Sequence, residues 1–145
     1  MDEARQFDFW LGSWEVRDPS GELAGHNRIE ALYDGQVLQE HWEGSQGMRG
    51  TSFSLYARRR GHWHQTWVDS NGTLLLLDGG LRDGAMVMEG ATPHPERRGT
   101  ELRHRISWSL IDGDADHVRQ HWETSSDDGQ TWETAFDGRY RRVEG

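Results

Sequence analysis

Two acidic residues, Glu40 and Asp69, each stand two positions from a tryptophan, Trp42 and Trp67, in stretches that alternate apolar and polar residues. In an extended strand such positions share a face, so each carboxylate is expected on the same wall as an indole. A carboxyl held among aromatic rings has a raised pKa and suits general acid or base work in an isomerisation, cyclisation or hydration. The same spacing groups Gln65 with Trp63 and Trp67, Gln120 with Trp122, and His104 with Ile106 and Trp108. Two readings of this polar set stand side by side. In one, the glutamines bond indole N–H groups or water, and Asp69 caps a strand end beside Ser70-Asn71-Gly72. In the other, these groups orient a flat or apolar molecule gripped by aromatic walls.

Other chemistries are narrowed by what is missing. The chain has no cysteine, and its sixteen basic residues are all arginine. Thiol nucleophiles, thiolate metal sites, disulfides and lysine Schiff bases are therefore excluded. No nucleophile elbow is present, and no glycine loop of the phosphate-binding kind precedes a helix. His62 and His64 flank Trp63 at metal-ligand spacing, but their parity opposes the tryptophans and so faces water. Only the reverse parity would bring His41 and His121 inward and create a metal site, so no metal is expected. A net charge of −9 opposes binding to a phosphate backbone. The run Arg58, Arg59, Arg60 before Gly61 reads as a solvated hairpin tip.

The elements that position these residues are strands. Reversal signals recur at Asp34-Gly35, Arg60-Gly61, Asn71-Gly72, Asp83-Gly84, Asp112-Gly113, Asp128-Gly129 and Asp137-Gly138, and Asp-Gly and Asn-Gly tolerate the positive φ of tight hairpins. Between them ten strands are predicted, over residues 13–18, 24–33, 37–43, 51–57, 62–68, 73–78, 85–89, 102–109, 117–124 and 131–142, the last with a bend at Asp137-Gly138. Connections too short for crossover helices make neighbours antiparallel, and such a meander closes on itself to remove its edges. Phe7 to Leu11 is the one helical turn expected, and the stretch from Pro93 to Gly99 the one long polar loop. Parity turns Leu38, Trp42, Trp63, Trp67, Ile106, Trp108, Val118, Trp122, Trp132 and Phe136 toward the axis, and Glu40, Gln65, Asp69, His104 and Gln120 with them. An internal echo, V-x-Q/E-x-W-E-x-S in outline, links the segments after Asp34-Gly35 and Asp112-Gly113.

The segment FDFWLGSWEV, residues 7–16, holds Gly12-Ser13-Trp14, which resembles the G-x-W signature opening the first strand of lipocalins and related calycin barrels. In that superfamily an arginine of the last strand stacks on the tryptophan, which points to Arg139, Arg141 or Arg142. With HWHQTWVD, RISWSL and VRQHWETSSDDGQTWETAFDGRY, nearly the whole chain resembles a family of small bacterial lipocalin-like proteins, many without an assigned function. The haem-binding nitrobindin barrels are similar in architecture only; His104 and His121 would be the axial candidates for haem.

The expectation is thus a single all-β domain over residues 1–145, an up-and-down antiparallel barrel of about ten strands with a short N-terminal helical turn. It would bind a small apolar or aromatic molecule against Trp42, Trp63, Trp67, Trp108, Trp122 and Phe136, oriented by Gln65, His104 and Gln120, with Glu40 and Asp69 as candidate acid or base groups. The rivals are an enzyme on the same scaffold, a barrel filled with its own side chains, and a haem barrel. No partner nucleic acid or membrane is expected, and a homodimer is left open. The longest apolar run, Leu74 to Leu77, is far short of the roughly 20 residues of a spanning helix. The acidic N-terminus lacks the order of a secretory signal, which reads as cytoplasmic provided no leader has been removed.

Overall fold

The chain was studied as a computed structural model, which describes residues 2–143. Ten strands follow one another: β1 (Gly12–Arg17), β2 (Leu23–Leu32), β3 (Val37–Gly44), β4 (Arg49–Ala57), β5 (His62–Asp69), β6 (Leu74–Arg82), β7 (Ala85–Pro93), β8 (Glu101–Ile111), β9 (Asp114–Ser125) and β10 (Glu133–Val143). Each pairs antiparallel with its neighbour in sequence, and β1 also pairs with β10, so the sheet closes without an edge. The all-β, up-and-down, ten-strand expectation holds. Asp83-Gly84 and Asp112-Gly113 take positive φ at both residues, as the tight reversals require.

Asp137-Gly138 is an exception, because it continues β10 and reverses nothing. Gly138 is buried there, and a Cβ on it would lie 2.6 Å from Cε2 of Phe136. The glycine makes room for a ring. Trp132 also departs from the expected parity: it lies before β10 begins, its ring under the Arg105 guanidinium at 4.0 Å and its indole N–H on the Gly129 carbonyl, outside the barrel. The connection from β7 to β8 is tighter than its composition suggests, since β7 runs on through Pro93 and the His94 N–H bonds the Thr100 carbonyl at 2.8 Å.

One end of the barrel is closed by the N-terminal segment, which forms two 3-10 turns, Glu3–Arg5 and Asp8–Trp10. Phe7 and Trp10 are stacked 4.8 Å apart, and Phe7 meets Trp63 and Trp108 edge-on at 5.7 and 5.2 Å. Polar ties hold the plug in place: the Trp63 indole donates to Gln6 Oε1 at 3.1 Å, and the Trp14 indole to the Trp10 carbonyl at 2.9 Å. Arg142 is the last-strand arginine that covers Trp14, 4.2 Å above its ring, while donating to the Leu11 carbonyl at 2.7 Å. Gly12 sits beneath that guanidinium with φ of +133°, where a side chain would be strained and would collide with it. Both halves of the Gly-x-Trp pattern thus have a steric or packing reason.

Above the plug the inward positions form layers. Leu38, Trp63, Trp108 and Val118 make a sealed apolar floor; one step further along their strands come Glu40, Gln65, Ile106 and Gln120, and another step brings Trp42, Trp67, His104 and Trp122. β6 obeys the same alternation inside its leucine run, with Leu75 and Leu77 buried and Leu74 and Leu76 outside. Among the described residues no helix is long and apolar enough to cross a membrane.

Candidate functional site

The upper two layers enclose a cavity of about 200 Å³ that opens at the end opposite the plug. Its walls are Trp42, Trp67, Trp122 and Phe136, and its polar groups come from Glu40, Gln65, Gln120 and Tyr140. Large rings around a void need support, and glycines supply it. The Trp67 ring lies across Gly50 of the adjacent strand, where a Cβ would collide with it; the Trp42 ring lies over Gly25, with Cζ2 2.8 Å from the Cβ position; and Phe136 covers Gly138. Each indole is drawn back against the sheet, so the centre stays open.

The polar layer is a chain of hydrogen bonds from wall to wall. Glu40 is 4% exposed; its Oε1 accepts from the Ser52 hydroxyl and its Oε2 from the Asn27 amide, both at 2.7 Å. Asn27 also donates to Tyr140 Oη at 2.9 Å, and that hydroxyl donates to Gln120 Oε1 at 2.6 Å. Gln65 donates to Ser54 Oγ at 3.0 Å. Burial pushes the Glu40 carboxyl above the ordinary range, against the opposing pull of the Ser52 and Asn27 bonds. Burial, reinforced by the nearby Glu40, likewise holds the Tyr140 phenol protonated well above its usual value.

Seven of the residues singled out from the sequence, Glu40, Trp42, Gln65, Trp67, Gln120, Trp122 and Phe136, therefore meet around one void. Four others do not, each for a physical reason. Trp63 and Trp108, expected as ligand walls, are packed against the N-terminal plug and sealed beneath the polar layer. Asp69 keeps the expected parity but lies at the end of β5, where Oδ2 accepts the Trp67 indole at 3.0 Å and Oδ1 caps the turn through the Asn71 and Thr73 amides. Burial pushes its carboxyl up, but those bonds outweigh it and hold the pKa below the ordinary range, so the raised value expected for Asp69 is not found.

His104 works from behind a wall. The Trp122 indole can only donate, so His104 Nδ1 accepts at 3.1 Å, and the ring carries its proton on Nε2 toward Thr92 Oγ1 at 2.8 Å. Burial keeps this imidazole neutral by lowering its pKa. Both ring nitrogens are engaged. His121 lies on the outer face beside Thr134, 3.0 Å away, so neither histidine fits an axial haem ligand. His62 and His64 are also outside, where His64 Nδ1 meets Asp78 at 2.9 Å. Among the described residues no group of three His, Asp or Glu has the arrangement to hold a metal ion.

Asn27, Ser52, Ser54 and Tyr140 belong to the site but were not singled out from the sequence. On β4 the outward residues are Phe53 and Leu55, so the apolar pattern there points the wrong way. Tyr140 lies between Arg139 and Arg141, and its alternation with them was an available signal. The same layered pattern of an apolar residue, Glu or Gln, then Trp occurs on three strands: Leu38-Glu40-Trp42, Trp63-Gln65-Trp67 and Val118-Gln120-Trp122. The echo between β3 and β9 thus marks the two upper layers, and β5 carries a third copy.

No curated protein matches the chain. Residues 9–142, from within the plug to the arginine that covers Trp14, match the family described as "Protein of unknown function (DUF1579)", and the chain belongs to that family.

Proposed function

We propose that the barrel binds a small, flat, largely apolar molecule non-covalently in the cavity at its open end. The observation that carries this reading is the set of half-buried rings, Trp42, Trp67, Trp122 and Phe136, held apart around a void above polar side chains. Apolar walls with a few converging polar groups are the usual make-up of a small-molecule site. A void of about 200 Å³ is somewhat larger than the roughly 150 Å³ that accommodates benzene in a dry engineered cavity. That favours one ring with a short substituent, or two fused rings, over a porphyrin or a long acyl chain.

Tryptophan fluorescence tests it, because three of the eight tryptophans line the cavity. Small aromatic compounds from a panel that also includes fatty acids, flavonoids and haem are expected to quench saturably. Quenching by none of them sinks the reading in favour of a filled barrel.

Glu40 favours a second reading, proton transfer to a bound molecule, because its carboxyl lines the cavity and burial raises its pKa. Under that reading a bound compound is converted. Recovery of unaltered compound after prolonged incubation, followed by NMR, counts against it.

A further inference from the structure

We infer that the molecule taken by this cavity carries a protonated amine, seated at the polar layer between Glu40 and Gln65 with the indoles of Trp42 and Trp67 above it. This rests on the reading of the cavity as a binding site and specifies the ligand's chemical class.

The first ground is the convergence of acceptors. β3 and β5 flank β4, and the register sets Ser52 opposite Glu40 and Ser54 opposite Gln65. Two short serines therefore separate two long side chains, which leaves Glu40 and Gln65 facing the same space. A carboxylate has about four lone-pair sites, and Ser52 and Asn27 occupy one on each Glu40 oxygen. Gln65 uses its amide nitrogen on Ser54, and among the described residues its Oε1 takes no partner. An ammonium N–H supplies what both lack.

Charge is the second ground. Among the described residues no arginine or histidine lines the cavity. On strands that line the site, Arg28, Arg105 and Arg119 are turned to the outer face, where they pair with Glu30, Glu123 and Asp137. Glu40 thus sits without a counter-charge, facing a void walled by aromatic rings. A buried carboxylate and aromatic faces both attract a cation and repel an anion. A ligand carboxylate would meet only like charge at this depth. Gln120, whose Oε1 is taken by Tyr140, keeps amide hydrogens for a neutral acceptor elsewhere on the same molecule.

The size of the void allows a matched pair of probes, 2-phenylethylamine, protonated at neutral pH, and 2-phenylethanol, which has nearly the same shape without the charge. Titrations of the intact protein by fluorescence and calorimetry are expected to give the amine about tenfold tighter binding than the alcohol. In Glu40→Gln that ratio is expected to fall to about one. Gln accepts from Asn27 and donates to Ser52, so the fold should persist, and a circular dichroism melt checks this. Gln65→Leu, which leaves the carboxyl in place, is expected to lower the ratio several-fold and serves if Glu40→Gln does not fold. Calorimetry in buffers of different ionisation enthalpy gives an independent readout: because the cation favours ionised Glu40, the amine should release protons below the raised Glu40 pKa and the alcohol none. Equal binding of the two probes to wild type, or a ratio untouched by both variants, overturns the ammonium and keeps the cavity as a binding site. Quenching by neither probe while neutral aromatics of the panel quench does the same. Quenching by nothing overturns both readings.

Discussion

At the plugged end Trp10, Trp14, Trp63 and Trp108 are each exposed by 1% or less, whereas at the open end Trp42, Trp67 and Trp122 are only half-buried. The residue type is the same and the setting differs. The deep rings pack on Phe7 and on one another, and their burial removes large apolar areas from water. The mouth rings rest on glycine backbone and on single polar anchors, Asp69 for Trp67 and His104 for Trp122. Stability is thus concentrated where the chain plugs itself, and the other end is left with large side chains over empty space.

Truncation at the two ends should therefore give unequal losses. Trp10→Ala removes a fully buried ring that has no route to solvent, and is expected to destabilise by about 3–5 kcal/mol. Trp122→Ala removes a half-buried ring beside an existing void, and should cost no more than about half as much. Urea denaturation of both variants measures the contrast; equal losses would mean that the mouth is packed like a core.

Gly50→Ala sharpens the contrast from the other side. Its methyl collides with the Trp67 ring, and the ring's free path is into the cavity. Overpacking in a filled core costs about 1–3 kcal/mol, and the void should keep this variant at or below the lower figure. Quenching by small aromatics should weaken at least tenfold, about 1.4 kcal/mol in binding, with the thermal midpoint little changed. A large stability loss with quenching retained would contradict the proposed support of the ring.

The polar layer between the two ends gives a pH signature. Burial raises the folded Glu40 pKa above its unfolded value. Between those two values the folded state holds a proton that the unfolded state has released, so stability falls as pH rises through that window and levels off above it. Glu40→Gln removes this slope, so its stability relative to wild type should improve from about pH 4 toward neutrality. Denaturation at several pH values checks the sign, and a difference that does not change with pH would show that Glu40 titrates like an exposed acid.

Much of this arrangement was readable in the residues, for reasons that also mark where reading stops. Turn chemistry located the boundaries of all ten strands within four residues, since Asp-Gly pairs demand positive φ, and it misled only at Asp137-Gly138, where the glycine serves a ring and not a reversal. Parity brought Glu40, Gln65 and Gln120 inward with their tryptophans. It had no means of assigning depth, which separates Trp63 from Trp67 on one strand and leaves Asp69 at the rim. Depth depends on where the N-terminal segment folds in, and the partner of Phe7 and Trp10 is not encoded by any local spacing. The serines of β4 were hidden for a related reason: a small polar residue facing inward gains meaning only from the Glu40 opposite it.

The smallest effect expected lies at the His104 anchor. Trp122→Phe keeps a ring over the cavity and deletes the indole N–H that His104 Nδ1 accepts. One net hydrogen bond is worth about 0.5–1.5 kcal/mol, so the stability loss should fall in that range. The histidine reports the change more sharply. Burial already lowers its pKa, and a donor on Nδ1 favours the neutral ring further, so losing that donor should move the titration up toward the ordinary value. In wild type the folded pKa lies below the unfolded one, so stability from this residue is complete above the ordinary histidine value and is lost as pH falls toward the lowered one. In Trp122→Phe that loss should shrink, because the two pKa values draw together. Imidazole NMR resonances followed from neutral to acid pH measure both, and an unshifted midpoint would mean that the indole and the imidazole are not bonded in solution.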